Sequence, residues 1–319
     1  MGPMFVQTPV VASATVRAAR VVKVVVGLIL GAVCTWAWAA PSLAGVDDRG
    51  RRLPVDQVPR RVVSLTPTLT EMVCALQACD RLVGTDNHSR WPQRVRELPK
   101  LGGLEDAQVE RVVALKPDVV LTATSTRVIE RLESLGLRVI ALEPRTLNEV
   151  QQVLDKVALV LGKPGAGASV WQAMEAQITK AAQGVPASVR GQSVYFEVAS
   201  TPYAASQSSF IGEVLSRLGL RNVIPGHFGP FPAVNAELIL QAHPQWIMGS
   251  AMEVALMKHR PGWARLQALS AGKVCAFEAH DIDTMMRAGP RLAQAAEAIV
   301  SCLQKGGSAG VRAVPAGSS

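Results

Sequence analysis

Polar and apolar positions fall into two alternating patterns along this chain. Short β-branched runs carry almost no polar interruption, and between them lie longer stretches in which apolar residues return every three or four positions. The first pattern suits strands buried on both faces of a parallel sheet; the second suits helices laid against that sheet. In order, the spacing predicts a strand over 61–65 (RVVSL) and a helix opened by a T-x-x-E capping box at Thr68 and Glu71 that runs to about Leu76. A strand over 82–85 follows, then a loop DNHSRWPQ, a helix and strand within 102–122, a helix over 127–135 and a strand over 138–142. Two helices over 146–161 and 169–183, separated by GKPGAG, make the middle of the chain a rigid connector. Beyond it come a strand over 193–198, a helix over 209–218, a second helix-strand unit from Asn235, the strand KVCAF and a closing helix over 290–303. The fold class is α/β with parallel sheets.

One unit occurs twice. In GGLEDAQVERVVALKPDVVLT, Asp106 is read as the N-cap, Glu110 opens an apolar run, Pro117 stops it seven residues on, and a β-branched strand follows. In NAELILQAHPQWIM, Asn235 caps, Glu237 opens the run, Pro244 stands seven residues later, and a strand starts at Trp246. The repetition argues for two similar lobes, each offering a carboxylate near a helix start to a partner that is itself paired. A glutamate there is also favoured by the helix dipole alone.

The first residues change the charge picture. Arg17, Arg20 and Lys23 precede an apolar stretch from Val24 to Trp38 that gives way to AWAAPSLAG, the form of a Sec-type signal peptide over 1–44 cleaved after Ala39 or Ala44. An uncleaved anchor is the alternative, since Val24–Ala40 just suffices to span a bilayer. Cys34 lies in GAVC, which fits a lipidation site poorly. Without those three of the 33 basic residues, 30 remain against 25 acidic ones, a balance of +5. No basic run or aromatic-basic stripe points to nucleic acid. At 319 residues, 49% hydrophobic and 18% charged, the chain has enough apolar material for two cores. The end GGSAGVRAVPAGSS is too small and polar to pack, so 305–319 is expected to be disordered.

Export makes disulfides available. Cys74 and Cys79 are read as a bonded pair, which requires the helix to end near Gln77. Cys275 and Cys302 are either buried thiols or a second bridge. Ligands of open α/β sheets bind at the carboxyl ends of strands, and the loops there hold His88, Trp91, Tyr203, Phe228, Phe231 and the segment His280–Arg287. Such loops suit a large, flat, partly apolar ligand gripped between lobes, with Asp283 or Arg287 fixing its orientation. An alternative gathers His88, His227 and His280 with Asp283 around a transition metal. No G-x-S-x-G, H-E-x-x-H, P-loop or G-x-G-x-x-G is present, so no catalytic residue is assigned and the chain is not read as an enzyme; a hydrolase is the remotest alternative.

The segments RVVSLTPTLTEMVCAL, DRLVGTDNHSRWP, LPKLGG, VERVVALKPDVVL, LESLGLRVIAL, SSFIGEVLSRLG, NVIP and RAGPRLAQAAEAI resemble, in order, the periplasmic substrate-binding proteins of ABC importers for iron complexes and vitamin B12, most nearly the cobalamin-binding branch. That resemblance implies two Rossmann-like lobes joined by a long backbone helix, with bounds of 45–59 for an N-terminal extension, 60–163 for the first lobe, 164–188 for the connecting helix and 189–304 for the second lobe. It implies a periplasmic monomer that binds cobalamin as cargo, uses no cofactor, and works with an ABC permease and its ATPase. Carried over by position, the ligand-facing aromatic before the proline pair resembles Trp91 or His88, although Pro-Gln replaces Pro-Pro. Tyr203, Phe231 and Asp283 resemble further ligand contacts, and Glu110 and Glu237 resemble the permease-docking glutamates. A tryptophan typical of the cobalamin branch is Leu104 here, which keeps haem or an iron-siderophore open as the ligand.

Overall fold

The computed structural model describes Gly2, residues 45–199 and residues 202–307. The predicted signal peptide, with Arg17, Arg20, Lys23 and Cys34, and the tail from residue 308 lie outside the described residues. Of the predicted disordered tail, Lys305–Gly307 are described, and they close the last helix instead: Gly307 N–H donates to Cys302 C=O at 3.2 Å.

The first lobe contains β1 (Val62–Ser64), α1 (Pro67–Ala75), β2 (Leu82–Thr85), α2 (Val109–Ala114), β3 (Val119–Thr122), α3 (Ile129–Ser134) and β4 (Val139–Ala141). Its strands lie in the order β2-β1-β3-β4, all parallel, with Val62 opposite Val119 and Val120 opposite Val139. Residues 45–53 seal the open β4 edge, where Asp48 N–H donates to Ala141 C=O at 3.0 Å and Asp47 Oδ2 accepts from Ala141 N–H at 3.2 Å. Buried Lys156 reaches the same segment, Nζ to Asp48 Oδ1 at 2.7 Å.

Two helices stand between the lobes, α4 (Leu147–Val160) and α5 (Ala166–Gln183), and α5 lies within the span 164–188 expected for the connecting helix. Thr146 and Glu149 form a reciprocal capping box at the start of α4. A Cβ at Gly167 would stand 2.7 Å from the Asp155 backbone nitrogen, so glycine there lets α4 and α5 pack closely.

The second lobe follows: β5 (Ser193–Ala199), β6 (Tyr203–Ala204), α6 (Phe210–Arg217), β7 (Arg221–Asn222), α7 (Ala236–Ala242), β8 (Trp246–Ser250), α8 (Ala251–Met257), α9 (Gln267–Ser270), β9 (Val274–Phe277), α10 (Ala279–Met285) and α11 (Leu292–Gln304). Its sheet runs β6-β5-β8-β9 with β7 beside β5; β6 alone is antiparallel. The two-residue strands β6 and β7 are too short to leave a periodic signal and have no counterpart in the sequence reading.

Strand alternation sorts the core. Val62, Val119 and Leu121 of the first sheet, and Trp246 and Met248 of the second, point into one apolar layer shared with α1, α4, α6 and α11. Val63 and Val120 enter a second cluster with α2 and α3, while Tyr195 and Ile247 enter a third with Trp263. Among the described residues from 45 onward, the layer common to both lobes belongs to one compact unit and resists independent movement of the sheets.

The repeated unit recurs in three dimensions. Lys116 and His243, each just before its proline, adopt left-handed backbone with φ of 45° and 43°, and each turns a helix into a central strand. Asn235 caps α7 as expected, its Oδ1 accepting from Leu238 N–H at 2.7 Å. Asp106 does not cap α2: the helix starts after Gln108, and Asp106 Oδ1 instead accepts from Gly103 N–H at 2.7 Å, because the chain turns tightly at Gly102. The Thr68–Glu71 box is also corrected. Thr66 is the N-cap of α1 with Pro67 at the first helical position, and Glu71 is turned inward and buried.

The helix end that the first cysteine pair requires is present. α1 stops at Ala75, Gln77 has φ 55°, and Cys74 and Cys79 are bonded with Cα atoms 4.2 Å apart. Cys275 on β9 and Cys302 on α11 are bonded as well, tying the closing helix to the second sheet.

Candidate functional site

The carboxyl ends of the first sheet's strands face α6 and α10 of the second lobe across a cleft. The loop after β2 is held from three sides. Asp86 accepts from His88 N–H at 2.7 Å and from the Ser89 hydroxyl, and Ser89 Oγ reaches Thr70 Oγ1 at 3.0 Å. Lys100 Nζ donates to Thr85 Oγ1, Ser89 C=O and Val95 C=O at 2.8–2.9 Å. Burial lowers the Lys100 pKa, and the Asp86 carboxylate opposes that shift. Trp91 precedes a cis peptide bond to Pro92.

Across the cleft, Arg287 is buried and makes three bonds: to Glu71 Oε1 at 2.5 Å, to His88 C=O at 3.0 Å and to Asp283 Oδ1 at 2.6 Å. Arg291 shares Glu71 Oε1 at 3.2 Å, bonds Gln294 and Thr284, and lies over the Trp91 ring with its guanidinium carbon 5.3 Å from the centroid. Glu71 Oε2 is buried with no hydrogen-bond partner. Desolvation raises the Glu71 pKa above the usual carboxylate range, although both guanidinium groups pull it back.

Two cavities open from this arrangement. One, about 420 Å³, is lined by Thr68, His88, Leu104, Phe210, Asp283 and Met286 among others. Leu104 and Met286 are each 38% exposed there, so apolar surface is left uncovered inside a concave site. Glu143 forms part of its wall and accepts from Ser125 N–H at 3.1 Å and from the Thr124 hydroxyl. The other, about 370 Å³, lies between the β2 loop and α10 and includes Arg90, Trp91, Arg96, His280 and Arg291. His88 and Asp283 line both. The first suits an apolar, partly flat body; the second suits a charged or polar edge.

Of the residues picked out in the sequence, His88, Trp91, Asp283 and Arg287 gather here. Arg287 lines the first cavity, and its guanidinium is occupied by Glu71, Asp283 and the His88 carbonyl, so it also ties the two sides of the cleft together. Tyr203 stands outside both cavities, 43% exposed on the β6 edge. Phe231 packs edge-on against Phe210 at 5.5 Å and so backs the cavity wall instead of lining it. Phe228 is 49% exposed and contacts the His227 ring. Among the described residues no group of three or more His, Cys, Asp or Glu side chains could hold a metal ion; His88 and His280 share the second cavity with Asp283, and His227 lies elsewhere. Glu110 and Glu237 are exposed in the first turns of α2 and α7. The sequence reading missed Glu71, Phe210 and Arg291. Glu71 carried a capping pattern and Phe210 a helix-start pattern, so neither stood out as belonging to the cleft.

A family model described as periplasmic binding protein matches residues 62–279. The chain is 27% identical over 256 residues to the vitamin B12-binding protein of Photorhabdus laumondii, covering 78% of this chain and 90% of that one. It is 24% identical over 270 residues to an uncharacterized ABC transporter substrate-binding lipoprotein of Bacillus subtilis, covering 81% and 84%. A crystal structure of a periplasmic heme-binding protein from Pseudomonas aeruginosa superposes with a TM-score of 0.65 at 24% identity, over 78% of this chain and 94% of that one.

Proposed function

This chain belongs to the periplasmic binding protein family, and on that premise we propose that it captures a corrinoid such as cobalamin between its lobes and delivers it to an ABC permease driven by its ATPase. The observation that carries this reading is the cleft itself: uncovered Leu104 and Met286 with the buried ring of Phe210 behind them on an apolar wall, beside His88 and Asp283, where the strand ends of the first sheet face α6 and α10. An apolar wall with few polar groups suits a broad, partly flat ligand. The similarity to a protein named for vitamin B12 supports the corrinoid. Export to the periplasm through residues 1–44 and monomeric action belong to the same reading, with no catalytic step assigned.

Haem is the second reading, favoured by the exposed His88 imidazole, since haem iron takes a histidine ligand. Absorption spectra of protein exported by a cell, followed by calorimetric titration with cobalamin and with haem, separate the two. A corrin spectrum with tight cobalamin binding supports the first. Tight haem binding with no heat from any corrinoid replaces it with the second.

A further inference from the structure

The second cavity is strongly cationic. Arg90, Arg96 and Arg291 line it with His88 and His280, and its one acidic residue, Asp283, already accepts from Arg287. Lys100 stands just behind, beside Arg90 and Arg96 in a neighbouring hollow, and Arg90 lowers its pKa further. Among the residues that line the two hollows, the cations Arg90, Arg96, Lys100 and Arg291 face a single carboxylate, Asp283.

Nor are the two outer arginines neutralised by the protein. Neither Arg90 nor Arg96 forms an ion pair among the described residues; Arg96 Nε donates to the Arg90 carbonyl at 3.0 Å, which steadies its stem and leaves the terminal nitrogens unused by that bond. The loop that carries them is rigid, because Asp86, Ser89 and Lys100 fix it from below. Like charges held on a rigid loop repel one another, and an anion placed among them relieves that repulsion while offering paired acceptors to the guanidinium forks.

We infer that the second cavity receives an ionised oxygen group of the cargo, a phosphodiester or a carboxylate, while the first cavity holds its apolar body. This rests on the reading of the cleft as a tetrapyrrole site. A corrinoid supplies such a group as the phosphodiester of its nucleotide loop, and haem supplies it as propionate; the chemistry seen by Arg90 and Arg96 is the same.

The test compares each ligand with a counterpart that lacks the anionic oxygen group, on the full mature protein. Affinities are measured for cobalamin against cobinamide, which lacks the phosphodiester, and for haem against its dimethyl ester. The same pairs are measured on the double variant Arg90→Gln with Arg96→Gln and on the charge-keeping Arg90→Lys with Arg96→Lys. The expected result is a preference for the anionic member of one pair of at least about tenfold, lost in the glutamine variant and largely kept in the lysine variant. Which pair shows it identifies the source of the anion. Tight binding of one pair without preference, or a preference unchanged in the glutamine variant, overturns the inference and leaves the proposed function standing. Binding of neither pair overturns the ligand class and the inference together.

Discussion

Arg287 donates to Glu71 Oε1 at 2.5 Å, joining residues 216 positions apart in sequence and one on each side of the cleft. The same arginine holds the His88 carbonyl, and Arg291 approaches the same carboxylate oxygen. The lobes are therefore joined at the floor of the cleft by a buried ion cluster as well as by the apolar layer behind it. A cluster so placed sets the resting position of the β2 loop relative to α10.

Removing its centre leaves two buried guanidinium groups without their shared anion. Glu71→Ala is expected to destabilise the protein by about 3–5 kcal/mol in denaturant unfolding. A loss under about 1 kcal/mol would show that water replaces the carboxylate without difficulty.

The raised Glu71 pKa also has a sign. Between the ordinary carboxylate pKa of the unfolded chain and the higher folded value, the folded state binds more protons, so stability falls as pH rises through that window. Glu71→Gln should remove this slope. Unfolding free energies measured at successive pH values just above the carboxylate range decide it; parallel curves for parent and variant count against the assignment.

The bridges should contribute unequally. On the chain-entropy estimate, a loop as short as that between Cys74 and Cys79 is worth about 2 kcal/mol, and the longer one between Cys275 and Cys302 about 3.5 kcal/mol. Thermal unfolding of the two paired Cys→Ser variants should therefore show the larger drop for the second pair. Mass spectrometry of exported protein showing free thiols at either pair would refute that bridge.

In the cleft, Phe210→Ala should weaken binding of the cargo by about 1–3 kcal/mol through lost apolar contact. Phe231→Ala is expected to act through Phe210 and cost less, and Tyr203→Ala least of the three. Calorimetry on all three variants ranks them. A larger loss at Tyr203 than at Phe210 would mean that the lobes close far enough to bring the β6 edge onto the ligand.

Glu110 and Glu237 are proposed to dock the protein on its permease. Both are exposed, each in the first turn of its lobe's repeated helix, where paired transporter subunits can meet them symmetrically. Glu110→Arg with Glu237→Arg should leave ligand affinity within about twofold while transport in a reconstituted permease and ATPase collapses, each single change giving a partial defect. Normal transport by the double variant would reduce both carboxylates to helix-dipole partners.

Sequence alone determined the architecture, because short β-branched runs such as VVS and VVLT, set between helical stretches, suit strands covered on both faces, and a helix-proline-strand unit repeated once implies two lobes. It also placed His88, Trp91 and Asp283 at strand ends, where α/β sheets gather ligands. What it left undecided was which side chains meet across the cleft. Glu71 satisfies a capping pattern locally, yet the helix begins earlier and turns it inward, where two arginines from the far end of the chain await it. Phe210 hides in a helix start, and Tyr203 sits on a strand too short to have a period. Pairings over such distances depend on how two sheets pack on one shared apolar layer, and no local pattern encodes that packing.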